Sequence, residues 1–175
     1  MDNKKNKLLI YGATGYTGKI IAARAKELNI DFEIAGREPY KTRKLAEELA
    51  VGYHTFDVDT EYAWEKALQD KTVLINAAGP FQFTARQAMK ACLKAGVHYL
   101  DISAELDTYR LGRSLDREAR DAGIQLISGA GLFVSYDAFG GASFKIGGRT
   151  SIPESRFPTL RRFLQRFGIK QQEHR

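Results

Sequence analysis

Three glycines, Gly12, Gly15 and Gly18, recur at three-residue intervals in the run GATGYTG, with Thr14 and Thr17 between them. The chemistry such spacing serves is the holding of phosphate. Gly12 would let the chain turn sharply, Gly15 would let the backbone come close to a pyrophosphate, and Gly18 would let a following helix pack on the preceding strand. The free N–H groups and positive dipole end of that helix would then face the anion. Ala13 and Tyr16 complete the turn, and the two threonines would add hydroxyl donors. The plainer reading is a glycine-rich turn with an empty site.

Further candidates follow the apolar runs downstream. Gly36 and Arg37 stand where a domain that selects NAD usually carries Asp or Glu to accept from the ribose hydroxyls. Gly36 would leave space there, and the Arg37 guanidinium would pair with a 2′-phosphate, with Lys41 and Arg43 close behind. These residues therefore favour NADP over NAD, the alternative for Arg37 being a solvated surface arginine. Asp57 and Val58 fall where an adenine ring would rest, although an Asp there could equally cap the next helix. Asn76, Ala77, Ala78, Gly79 and Pro80 are small or polar residues that would let a nicotinamide pass close to the backbone, or simply make a tight turn. Asp101 and Glu105 are the candidates for orienting a substrate or passing a proton, set against a role in starting the next helix. His54 and His98 read as structural. There is no recognised catalytic triad and no metal-ligand spacing among Cys92, His54, His98 and His174.

The elements that must position these residues alternate. Strands are expected at 7–12, 31–36, 52–57, 72–77, 98–102 and 124–128, each an apolar run rich in β-formers. Helices are expected at 16–29 (Ile21, Ala25 and Leu28 inward), about 40–50 (Leu45, Leu49) and 60–69. Two more follow, at 84–95 (Ala85, Met89, Cys92) and 107–122 (Leu111, Leu115, Ala119, Ala122). Right-handed β-α-β crossovers turn this alternation into a three-layer, doubly wound parallel sheet, the Rossmann arrangement, with every candidate on its carboxyl edge. Residues 1–131 form this NAD(P)-binding domain. Residues 132–175 are an irregular Gly- and Ser-rich segment and a basic amphipathic tail, with Phe157, Leu160, Leu164 and Phe167 on one side of a possible helix from Pro158.

Composition narrows the function classes. The 175 residues suffice for one core of ordinary size. The net charge of +6 resolves into +2 for residues 1–150 and +4 for the last 25, so the body is nearly neutral and nucleic acid is not an expected partner. The tail could touch a membrane surface. The polar start MDNKKNK has no signal-peptide core, and the single cysteine cannot form an internal disulfide, so a cytoplasmic protein is expected. An exposed sheet edge would allow a homodimer.

Taken together, GATGYTGKIIA (12–22), AGR (35–37), NAAGPF (76–81) and ACLKAGVHYLDISAE (91–105) resemble the saccharopine dehydrogenase-like oxidoreductases, a family that includes saccharopine reductases and trans-acting enoyl reductases. The resemblance covers roughly residues 8–131. It implies a nicotinamide cofactor held through Gly12, Gly15 and Gly18 and near Asn76 and Gly79, with hydride transfer to or from a small-molecule substrate. Two departures stand out: Ala104 replaces a glycine of the family pattern, and GAGLFVSYD replaces the usual run after the sixth strand. About 45 residues follow Gly131, too few for the larger substrate domain of that family, which is largely absent here. An NADP-dependent oxidoreductase, a non-catalytic NADP-binding module and a truncated inactive fragment all fit, and the chain could be a short paralogue, a fragment or a reading frame that shifts near residue 147.

Overall fold

The computed structural model describes residues 7–130; the expected segment and tail at 132–175 lie outside the described residues. The chain divides into two units, Met1–Gly131 and Leu132–Arg175, and the described residues belong to the first. Strands β1 (Leu8–Tyr11), β2 (Phe32–Gly36), β3 (Gly52–Thr55), β4 (Val73–Asn76), β5 (His98–Asp101) and β6 (Leu126–Ile127) form one sheet in the order β3-β2-β1-β4-β5-β6. Each neighbouring pair is parallel. Between the strands run α1 (Tyr16–Glu27), α2 (Pro39–Leu49), α3 (Glu61–Leu68), α4 (Phe81–Ala95), α5 (Leu106–Ser114) and α6 (Asp116–Asp121). This is the doubly wound α/β fold that the alternation predicts. Its strand order reverses between β1 and β4, which opens a crevice at their carboxyl ends.

The sheet has a core on each face. Alternate residues of β1 part company: Ile10 joins Ile34, Ala22, Ala25 and Ala46 under α1 and α2. Leu9 and Tyr11 join Leu74, Tyr99, Trp64, Met89 and Cys92 under the helices of the second half. Cys92 is fully buried, and that burial pushes its thiol pKa up, so it acts as a core residue. Among the described residues no helix is long and apolar enough to cross a membrane.

Several local expectations are corrected. The inward face of α1 is Gly18, Ala22 and Ala25, small residues that let the helix approach the sheet closely, while Leu28 is 54% exposed just past its end. On α2 the expected Leu45 and Leu49 do pack against the core, half-buried, and Thr42 and Ala46 beside them are buried more deeply. The helix expected over 107–122 is two helices. Ser114 Oγ donates to the Leu111 carbonyl at 2.7 Å, competing with the backbone ladder, and the Leu115 N–H is shared between the carbonyls of Leu111 and Gly112. The chain breaks there, and Ala122 is left exposed beyond α6. Finally, α4 begins at Phe81, three residues earlier than its periodicity indicates, for a reason that belongs to the site.

At the amino edge, opposite the crevice, Glu33 gathers cations. Lys7 lies 2.5 Å, His54 2.8 Å and Lys71 3.0 Å from its carboxylate oxygens, and Asp70 pairs with both lysines. Burial alone would raise the Glu33 pKa, but the hydrogen bonds from Lys7, His54 and Lys71 hold it down at about 2. His98 is structural as well: its Nδ1 accepts the Gln125 N–H at 3.1 Å.

Candidate functional site

The turn after β1 is built by two glycines. Gly12 has φ +79°, a left-handed conformation that other residues resist, and a Cβ there would lie 2.6 Å from the Ala78 nitrogen. A Cβ on Gly18 would run into the Gly12 carbonyl oxygen and lie 2.8 Å from the Ala13 Cα. Gly15, which meets nothing nearer than the Gly12 oxygen at 3.3 Å, is exposed together with Tyr16 and Thr17, whereas Ala13 is buried under the turn. Gly15 is the N-cap of α1 and provides no side chain to cap it, and the first turn carries no acidic residue. Among the described residues, the opening N–H groups of α1 therefore have no side-chain acceptor and no neutralising charge in their own first turn.

The ends of β2 and β3 converge on the same edge. Burial pushes the Tyr11 pKa up to about 12, with Asp57 reinforcing the rise and Arg37 opposing it, which places both side chains within electrostatic reach of one phenol. Arg37 is exposed and makes no ion pair with another described residue; Lys41 is likewise exposed, and Arg43 reaches Glu47 at 3.7 Å. The space reserved beside Gly36 for a ligand is taken by the protein. A Cβ at Gly36 would be 2.9 Å from Thr42 Oγ1 and 3.6 Å from Thr14 Oγ1, so room for an anion lies outward, at Arg37. Asp57 does not cap α3: its Oδ1 is 3.5 Å from the Asp59 N–H, and the N-cap of α3 is Thr60. The Val58 carbonyl accepts from Trp64 Nε1 at 2.8 Å, which fixes the floor of this region.

On the far side of the crevice the loop after β4 is held internally. Asn76 is fully buried; its Oδ1 accepts the Ala78 N–H at 3.0 Å, and its Nδ2 donates to Thr84 Oγ1 at 3.1 Å and to Tyr99 OH at 3.2 Å. The Ala77 N–H donates to the Tyr11 carbonyl at 2.8 Å, and Gly79 and Pro80, joined by a cis peptide, are exposed. The two acidic candidates are both engaged in structure. Asp101 is fully buried and accepts from Tyr99 OH (2.8 Å), the Ser103 N–H (3.0 Å) and the Gly129 N–H (2.7 Å). Glu105 accepts the Phe81 and Gln82 N–H groups at 2.9 and 2.7 Å. It thus caps α4, which accounts for that helix's early start, and its side chain does not cap α5. Thr84, Thr42 and Tyr99 are the residues that sequence reasoning missed. Their one signal is a hydroxyl in a strand or helix, with Asp101 two residues on from Tyr99 on the same buried face of β5.

Among the described residues, no group of three or more His, Cys, Asp or Glu side chains could hold a metal ion. One cavity of about 410 Å³ lies at the amino edge, and another of about 520 Å³ lies between α4 and α5, where Phe81 and Gln82 at the start of α4 line one part of it. The chemistry sits instead on the open carboxyl edge, where an open groove rather than an enclosed cavity is what an extended ligand would span.

A parallel sheet in this strand order, with an uncapped glycine-turned helix at its switch point, defines a dinucleotide-binding domain. The family described as "Saccharopine dehydrogenase NADP binding domain" matches residues 8–127, and the chain belongs to it. The cofactor is accordingly NADP. The chain is 26% identical to human "Saccharopine dehydrogenase-like oxidoreductase", covering 71% of this chain and 34% of that protein. It is 25% identical to "Trans-acting enoyl reductase" of Mycobacterium ulcerans, over 72% of this chain and 32% of that one. The structure of apo saccharopine dehydrogenase (L-Glu forming) from Saccharomyces cerevisiae superposes with a TM-score of 0.68 at 22% identity, covering 79% of this chain and 30% of that chain, and so shares the fold. The chain spans about a third of the length of the curated relatives it matches.

Proposed function

We propose that NADP lies across the carboxyl edge with its pyrophosphate at the start of α1, against Gly12, Ala13, Thr14, Gly15, Tyr16, Thr17 and Gly18. Its 2′-phosphate meets Arg37, its adenine rests by Asp57 and Val58, and its nicotinamide lies beside Asn76, Ala77, Ala78, Gly79 and Pro80. Bound there, the cofactor supplies hydride-transfer chemistry, and the chain is the cofactor half of an NADP-dependent oxidoreductase acting on a small molecule in the cytoplasm. The observation that carries this reading is the uncapped N-terminus of α1 on the same carboxyl edge as Arg37, which is exposed and makes no ion pair among the described residues. What the chain's own residues do is bind and orient: Asp101 and Glu105 hold backbone in place, and neither is assigned a proton-transfer role.

Calorimetry with NADPH and NADH tests it. Wild type binds NADPH more tightly, and Arg37→Ala removes at least about tenfold of that preference, the loss of a charge-assisted pair. Equal binding of the two cofactors by wild type would remove the role given to Arg37. A second reading, a non-catalytic NADP-binding module, draws support from the engagement of both acidic candidates in backbone hydrogen bonds. Turnover of any carbonyl, imine or enoyl substrate by the purified chain separates the two.

A further inference from the structure

The loop after β4 is held by a closed ring of hydrogen bonds whose directions are forced. The Ala78 carbonyl can only accept, so the Thr84 hydroxyl spends its one hydrogen there, at 2.7 Å, and must accept from Asn76 Nδ2. The Ala78 N–H can only donate, which turns Asn76 Oδ1 towards it. Tyr99 OH donates to Asp101 and accepts the second Asn76 hydrogen. Burial, with the Asp101 charge adding to it, pushes the Tyr99 pKa up, so the phenol remains a donor throughout the accessible pH range. Thr84 alone binds both Asn76 and Ala78, and thereby closes the ring.

Ala78 is also the residue that presses on the phosphate turn, with no room for a methyl group between its nitrogen and Gly12. A shift of the loop by a few tenths of an ångström would therefore reach Gly12 directly, because interiors this close-packed transmit displacement. We propose that Thr84, backed by Tyr99, is a positioning residue for the cofactor: its hydroxyl sets the separation between the β4 loop and the phosphate turn, and with it the fit of the nicotinamide half. The inference deepens the NADP reading and rests on it. It also implies an asymmetry, since the adenosine half lies over β2 and β3, away from the ring.

The test uses the full chain and two ligands, NADPH and adenosine 2′,5′-bisphosphate, which carries only the adenosine half. Thr84→Val, which keeps the shape and loses both hydrogen bonds of the hydroxyl, weakens NADPH by about tenfold and leaves the bisphosphate within about twofold. Thr84→Ser restores NADPH to within about threefold of wild type, and Tyr99→Phe weakens it by less than Thr84→Val because the ring stays closed. Equal loss of both ligands in Thr84→Val, no loss of either, or failure of serine to restore binding overturns the proposal. If circular dichroism shows Thr84→Val unfolded, Tyr99→Phe decides, through selective loss of NADPH against an unchanged bisphosphate. Wild type that binds neither ligand overturns the NADP reading and this inference together, whereas wild type that binds both beside an unaltered variant overturns this inference alone.

Discussion

The two turns that flank the crevice have the same task, to bring a strand into a helix at the carboxyl edge, and they begin their helices in opposite ways. The start of α1 has no side-chain cap, no acidic residue in its first turn and an exposed Gly15. The start of α4 is capped by the Glu105 carboxylate on two successive N–H groups, and the loop before it is tied down through Asn76, Thr84 and Tyr99. A helix start without a side-chain cap leaves its first N–H groups to solvent, where an anionic ligand can take them up. The difference teaches which side of the crevice takes charge and which side provides a rigid wall.

The harshest way to break this contrast is to fill the open turn. Gly18→Ala places a methyl against the Gly12 carbonyl and 2.8 Å from the Ala13 Cα, and both obstacles are backbone. The expected loss is more than about 3 kcal/mol of folding stability, together with NADPH binding, measured by urea denaturation and calorimetry. A variant of near wild-type stability would show that α1 can retreat from the sheet, and that the turn is less tightly built than its small-residue face implies.

A second experiment separates the sheet from both turns by acting on the opposite edge. Glu33 has a folded-state pKa of about 2, below the ordinary carboxylate value of 4.5. Its contribution to stability is therefore complete above pH 4.5 and is lost as the pH falls through 2. Denaturation followed between pH 6 and pH 2 should show that decline, and Glu33→Gln should flatten it. The variant should also lose about 2 to 3 kcal/mol at pH 7, less than a fully buried broken pair because Asp70 still faces Lys7 and Lys71. NADPH affinity of the folded fraction should not move, because the cluster lies at the far end of the strands. An affinity change of tenfold would mean that the two edges are coupled.

Much of this architecture was legible in the residues. Each strand is an apolar run closed by a turn residue, and Gly12, Gly15 and Gly18 run from the end of the first strand into the first turn of α1 because both partners of a phosphate turn are local in sequence. What escaped was non-local. Glu105 sits at the threshold of α5 yet caps α4, 24 residues upstream, because β5 carries it alongside the β4 loop. Thr84 and Tyr99 carry hydroxyls on separate elements, α4 and β5, and nothing in their spacing says that they meet at Asn76. Leu28 was assigned inward because large apolar residues dominate a helical stripe, while the real face of α1 is made of glycine and alanine. Arg37 and Asp57 come within reach of Tyr11 only once the order β3-β2-β1 is known.

The smallest effect is the sharpest test of the comparison itself. Glu105→Ala strips the cap from α4 and leaves the Phe81 and Gln82 N–H groups to water, as those of α1 already are; Gln82 is exposed, so solvent can reach them. The cost is that of a lost helix cap, about 1 to 2 kcal/mol, read as a shift in the denaturation midpoint at unchanged slope. The Asn76–Thr84–Ala78 ring does not involve Glu105, so the wall keeps its place and NADPH affinity should stay within about threefold, under 1 kcal/mol. A tenfold loss of affinity would mean that the capped helix also serves the ligand, through the loop it anchors. A tenfold gain would be as informative: the freed dipole of α4 would have become a second anion site, which is what the carboxylate of Glu105 prevents in the wild type.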